Sequence, residues 1–130
     1  MISQQQNKYL ENTVQNATPA QLLIMLCDGA IRFCKLGIEG INHKKYDDAS
    51  KHLYRVQDII KEFIITLDQN STIADQLLPL YEYFIQRIVE ANVKKDPNPA
   101  IEVLGFLVEL KETWYQAAKS AMATPGVRHG

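Results

Sequence analysis

The sequence predicts an all-α protein, an antiparallel up-down-up-down four-helix bundle preceded by a short N-terminal segment. Three observations carry this prediction. Four stretches of twenty-odd residues repeat apolar side chains every three or four positions, the period of a helix with one side in a core. The breaks between them are short and polar, so successive helices must turn back alongside one another. No stretch alternates apolar and polar residues as a half-buried strand does. With 130 residues, 46% of them hydrophobic and 22% charged, the chain is sufficient for one domain with a real core. Residues 18–122 form the expected bundle, 1–17 the N-terminal segment and 123–130 a frayed tail.

The first helix is "TPAQLLIMLCDGAIRFCKLGI", expected from about Pro19 to Gly40. Thr18 is a good N-cap, Pro19 suits the first helical position, and Gln21 sits where a capping box is closed. Gly40 is read as the stop. Leu23, Leu26, Ala30 and Phe33 follow the spacing of a core seam. Beside them runs a second row, Ile24, Cys27, Ile31, Cys34, Ile38 and Ile41, which leaves only a narrow polar strip of Asp28, Arg32, Lys35 and Glu39.

The second helix is expected from about Tyr46 to Leu67, ended by "DQNST", with the seam Ala49, Leu53, Val56, Ile60, Phe63 and Leu67. Tyr54, Ile59 and Ile65 lie outside that seam. The third runs from about Ile73 to Lys95, with the seam Ile73, Leu77, Leu80, Phe84, Ile88 and Ala91. Leu78, Tyr81, Ile85 and Val89 stand beside it, and Pro79 should kink its first turns. The prolines of "KDPNP" forbid its continuation. The fourth runs from about Ala100 to Met122, with the seam Val103, Leu107, Leu110, Trp114, Ala117 and Ala121. Its second row is Ile101, Leu104, Val108, Tyr115 and Met122, with Phe106 apart.

Several function classes fit poorly. A net charge of −1 argues against a general nucleic-acid binder. No apolar run approaches the roughly eighteen residues of a membrane span. The N-terminal stretch lacks an apolar signal core, so a cytosolic protein is expected and the sequon Asn70-Ser71-Thr72 is a chance match. Cys27 and Cys34, about 10 Å apart along one helix, are too distant to pair and read as small buried apolar residues. His43, His52 and His129 have no partner at ligand spacing, and no Glu-x-x-His pair, phosphate loop or nucleophile elbow is present. Asp68-Gln69-Asn70 starts like a calcium loop, but Ile73 stands where glycine is required. No catalytic, cofactor-binding or metal residue is therefore expected. One look-alike is the stretch His52-Leu53-Tyr54-Arg55-Val56, which is similar to a histidine phosphotransfer site. Val56, however, is a seam residue where such a site needs a small, open one.

A bundle needs about three apolar positions per heptad from each helix. Three of the four helices exceed this. The surplus means either a fat core or homodimer face, or an outer groove that receives a partner's amphipathic helix. Residues beside the seams are the candidates for partner binding: Ile24 and Ile31 in the first helix, Tyr54 and Ile59 in the second, Val108 and Tyr115 in the fourth. Upstream, Tyr9, Leu10 and Val14 are spaced to make one face of a short helix.

The order of motifs resembles the flagellin export chaperones, the FliS family. "TPAQLLIMLCDGAIRF" is similar to that family's first helix, a Ser/Thr-Pro cap leading into Leu-x-x-Met-Leu-aromatic-Asp/Asn-Gly, with Cys27 in the usual aromatic place. "VQDIIKEF" and "LYEYFIQRIVEANVKKD" resemble blocks of its second and third helices, Leu110 and Trp114 match the fourth in outline, and "YLENTVQNATP" matches its lead-in. The likeness runs from Tyr9 to about Ala118. It implies a cytosolic chaperone without cofactor that binds the disordered C-terminal segment of flagellin in apolar grooves. It also implies that the chaperone prevents premature polymerisation and hands flagellin to the flagellar type III export gate. A co-chaperone or regulator is a further possible partner, and a homodimer a possible unliganded state. The resemblance makes residues 1–17 a movable cap over an empty groove, anchored by Tyr9.

Overall fold

The computed structural model describes residues 17–68 and 73–123, with side chains to residue 120. These residues form four helices: α1 (Pro19–Asn42), α2 (Tyr46–Thr66), α3 (Ala74–Lys94) and α4 (Pro97–Ala123). Each packs on its two neighbours in a closed ring, α1 between α2 and α4, and α3 closing the far side. No described residue lies in a strand. The predicted bundle is the observed one, and helix bounds agree to within three residues.

The start of α1 follows from three residues. The Gln21 amide donates to the Thr18 hydroxyl at 3.1 Å, and the Thr18 amide donates to the Gln21 side chain at 3.0 Å. This capping box, with Pro19 at the first position, satisfies donors that no helical carbonyl can reach. The other end departs from expectation. Gly40 does not stop α1, which continues to Asn42. Lys44 takes the left-handed turn instead, at φ 58°. The Lys45 amide reaches the Gly40 carbonyl at 2.8 Å and the Lys44 amide reaches Ile41 at 3.0 Å. That is a Schellman closure with lysine where glycine is usual.

Gly40 serves a different purpose. It is buried, and a Cβ there would stand 2.9 Å from the Ala49 Cβ and 3.0 Å from the Ala49 backbone. A Cβ at Gly37 would meet Leu53 side-chain atoms at 2.6 and 2.8 Å. The glycines let α2 approach α1 at near backbone distance. This also shifts the core face of α1. Its buried residues are Cys27, Ala30, Cys34, Gly37, Gly40 and Ile41. Of the expected seam only Ala30 is fully buried, while Leu23, Leu26 and Phe33 are half-buried and flank the core. Hydrophobicity placed the leucines at the centre; the close approach of α2 places the small residues there.

The α2 seam is as expected from Ala49 to Phe63, all fully or almost fully buried. In α3, Phe84, Ile88 and Ala91 are buried as expected, and Tyr81 joins them from the second row. It packs on Phe63 and Phe84 with ring centroids 5.2 and 6.3 Å apart. Expected seam residue Ile73 is exposed, because it precedes the first turn of α3 rather than lying within it. Pro97 and Pro99 both fall in the first turn of α4, where a missing N–H costs nothing. The Asp96 carboxylate caps that turn, accepting from the Asn98 amide at 3.0 Å. Val103 and Leu107 are buried, Leu110 and Trp114 half-buried, and Ala117 is exposed.

Both cysteines are free and buried. The Cys34 thiol donates to the Ala100 carbonyl at 3.3 Å, tying α1 to the start of α4. Burial pushes both thiols up to about 12. A thiolate at either place would be a buried charge, which desolvation disfavours.

Candidate functional site

Four seams run along the bundle surface, and their chemistry differs. Between α1 and α2 the helices nearly touch. Phe33 is covered there by the guanidinium groups of Arg32 and Arg55, 4.8 and 5.3 Å from its ring centroid, and stacks with His52 at 6.0 Å. Between α3 and α4 runs an ionic network. The Glu102 carboxylate accepts from Tyr83 at 2.8 Å and from Arg87 at 2.7 Å, and Arg87 also bonds Glu90 at 3.0 Å. Those bonds hold the Glu102 carboxyl below the usual carboxylate range. Phe106, one turn beyond Glu102, is an exposed ring in this α3–α4 seam, its centroid 5.5 Å from that of Phe84; the α1–α2 seam offers no open apolar strip.

The α1–α4 seam does. The Lys111 ammonium donates to the Asp28 carboxylate across it at 2.6 Å, which fixes which sides of the two helices face each other. On α1, Ile24 and Ile31 stand four residues before and three after Asp28, one turn away on either side. On α4, Val108 and Tyr115 stand three before and four after Lys111. The helices are antiparallel, so Ile24 neighbours Tyr115 and Ile31 neighbours Val108, with the ion pair between. Val108 and Tyr115 are each 49% exposed, and Ile24 and Ile31 are half-buried. Leu104 and Ile101 extend the strip toward the start of α4.

The other two expected residues lie elsewhere. Ile59 points into the α1–α2 contact, its Cδ1 3.3 Å from where a Cβ of Gly29 would stand, and is half-buried. Tyr54, 58% exposed, lies on the outer side of α2 beside the α2–α3 seam. That seam is marked by the Ser50 hydroxyl, which donates to the Asn92 side chain at 2.9 Å. Val89 and Val93, also exposed, belong to it. Tyr9, Leu10 and Val14 lie outside the described residues. Ala17, the first described residue, lines a pocket of about 350 Å³ with Pro19, Leu22, Leu23 and Thr66, at the end of the bundle where the N-terminal segment joins.

The pair that organises the α1–α4 seam is not among the expected site residues: the sequence puts Asp28 in the polar strip of α1 and gives Lys111 no role. The signal in the sequence is spacing: Lys111 breaks the apolar row Leu104, Val108 and Tyr115 at the four-three-four step. Periodicity within each helix does not tell an open seam from a closed one. His52 stacks against Phe33 and Val56 beside it is fully buried, a setting that does not fit an imidazole open to an incoming phosphotransfer domain. Among the described residues no group of three His, Cys, Asp or Glu side chains could hold a metal ion, and no helix is long and apolar enough to cross a membrane.

The family model "Flagellar protein FliS" matches residues 1–121. The chain belongs to the FliS family. Among its relatives, the flagellar secretion chaperone FliS of Bacillus subtilis is 32% identical over 122 residues, covering 94% of this chain and 90% of that protein. The flagellar secretion chaperone FliS of Salmonella typhimurium is 31% identical over 116 residues, 86% and 85% of the two chains. That of Vibrio cholerae is 26% identical over 109 residues. In this chain the α1–α4 seam carries four of the six bundle residues expected to bind a partner.

Proposed function

We propose that this FliS-family protein is a flagellar export chaperone of the cytosol. It binds the disordered C-terminal region of flagellin, prevents premature polymerisation and delivers it to the flagellar type III export gate. The observation that supports this reading most is the pairing of family kinship with an open apolar strip. Ile24, Ile31, Val108 and Tyr115 line one seam and stay partly exposed there, and an amphipathic segment of flagellin would cover them. Binding and folding of the segment are then coupled, with burial of apolar surface offsetting the entropy of ordering it. No cofactor enters the process. The N-terminal segment enters the bundle at Ala17, and its residues Tyr9, Leu10 and Val14 are proposed to cover part of the empty groove until flagellin arrives.

The test is a titration with a flagellin C-terminal fragment, followed by size-exclusion chromatography. A one-to-one complex is expected. Val108→Asp should weaken it at least about tenfold, since the fragment then loses apolar contact and must bury a charge. The helical circular dichroism should be unchanged, because Val108 is on the surface. A fragment that leaves an existing homodimer unperturbed, or binds the Asp variant normally, refutes this assignment of the groove.

A further inference from the structure

The α1–α4 strip is not uniformly apolar. It has two apolar stations, Ile24 with Tyr115 and Ile31 with Val108, separated by the Asp28–Lys111 pair. On each helix the flanking residues are seven apart, about 10 Å. A helix laid along the strip meets the same repeat, apolar residues seven apart with the ion pair facing a position three or four between them. The bond between Lys111 and Asp28 uses one ammonium donor of three and one carboxylate oxygen of two. Both side chains are partly exposed, so water reaches them until a partner covers them. An apolar residue at the crossing would remove that water and offer nothing in return. A carboxylate would gain Lys111 but face Asp28, an ammonium the reverse, and either would give up the hydration of its own charge on docking. A side-chain amide suits both, its oxygen toward the ammonium and its NH2 toward the carboxylate.

We propose that the Asp28–Lys111 pair sets the register of the docked helix by selecting a segment with an Asn or Gln between two apolar residues seven apart. The idea rests on the docking reading above and adds to it which segment fits. It acts as a single polar position does in a coiled coil, fixing alignment through the cost of every other one.

The experiment uses the full chain and its D28L/K111M variant, which replaces the pair by apolar residues of similar length. An exposed ion pair contributes little to stability, so the variant should keep its helical circular dichroism. Two synthetic amphipathic peptides are titrated by fluorescence anisotropy. They are identical except at the crossing position, Gln in one and Leu in the other. The unsubstituted protein should bind the Gln peptide about tenfold more tightly, the factor expected of satisfied against unsatisfied polar groups. The variant should reverse the preference. The same preference in both proteins, or no binding of either peptide, overturns the proposal. A parallel titration with the flagellin fragment separates the two ideas. If Val108→Asp weakens that fragment while the peptides are not discriminated, the groove stands and the selective role of the pair fails. If Val108→Asp has no effect on the fragment, the docking reading itself fails.

Discussion

Two glycines in helix interiors should respond in opposite ways to the same substitution. A methyl group added at Gly105, on the exposed side of α4, meets nothing within 4 Å. Gly105→Ala therefore gains only helix propensity, about 0.8–1 kcal/mol. A methyl group at Gly40 stands 2.9–3.0 Å from the Cβ, Cα and N of Ala49. Carbon atoms pack best at about 3.5–4.0 Å, so α1 and α2 must separate by roughly 0.5–1 Å. No side chain can rotate away, because the obstructing atoms include backbone. Overpacking of this kind costs about 1–3 kcal/mol, which outweighs the same propensity gain and leaves Gly40→Ala about 1 kcal/mol less stable than the parent. The two variants should then lie about 2 kcal/mol apart. For a chain of 130 residues the unfolding entropy is about 0.27 kcal/mol/K, so the separation is about 7 °C in Tm. Thermal and urea unfolding followed by circular dichroism at the helical band measures it. If Gly40→Ala is as stable as Gly105→Ala, the close approach of α1 and α2 is not what makes Gly40 a glycine, and the account of the α1 core face fails with it.

Further outcomes follow from other parts of the bundle. Lys44 holds a left-handed φ of 58° that glycine adopts freely, so Lys44→Gly should stabilise by about 0.5–1 kcal/mol, read as a higher urea midpoint at unchanged m. Cys27 and Cys34 should resist alkylation at pH 8 in the native state and react on denaturation. Because burial raises their folded pKa to about 12 from an ordinary 9.0, the unfolded chain releases these protons first. The contribution of these thiols to stability should therefore be level below pH about 9 and be lost as pH rises toward 12, and Cys34→Ala should reduce that alkaline slope. Deleting residues 1–10 should tighten binding of the flagellin fragment and increase binding of a hydrophobic dye, as removal of a competing cap requires. If neither changes, Tyr9 is no anchor.

The α1 start and the α2 seam were legible in the sequence because each is local. Thr18, Pro19 and Gln21 satisfy amides within one turn, and the run from Ala49 to Phe63 has a single apolar face whatever lies opposite. The number of helices, their lengths and their antiparallel order follow from periodicity and short breaks in the same way. The surplus of apolar residues on α1 and α4 was also visible, and with it the expectation of a partner. What the tertiary structure decided was phase and neighbourhood. The α1 core lies on Cys27, Ala30, Cys34 and two glycines because α2 packs where side chains are smallest, and a count of hydrophobic residues is blind to that. Ile59 and Val108 look alike in sequence, each beside a seam. One faces the closed α1–α2 contact and the other the open α1–α4 strip, a difference set by which helix stands next to which. The pairing of Asp28 with Lys111 joins residues far apart in the chain. Local sequence carries the preferences of each helix, but the distance between two helices, and so which of their residues meet, is set only when all four pack together.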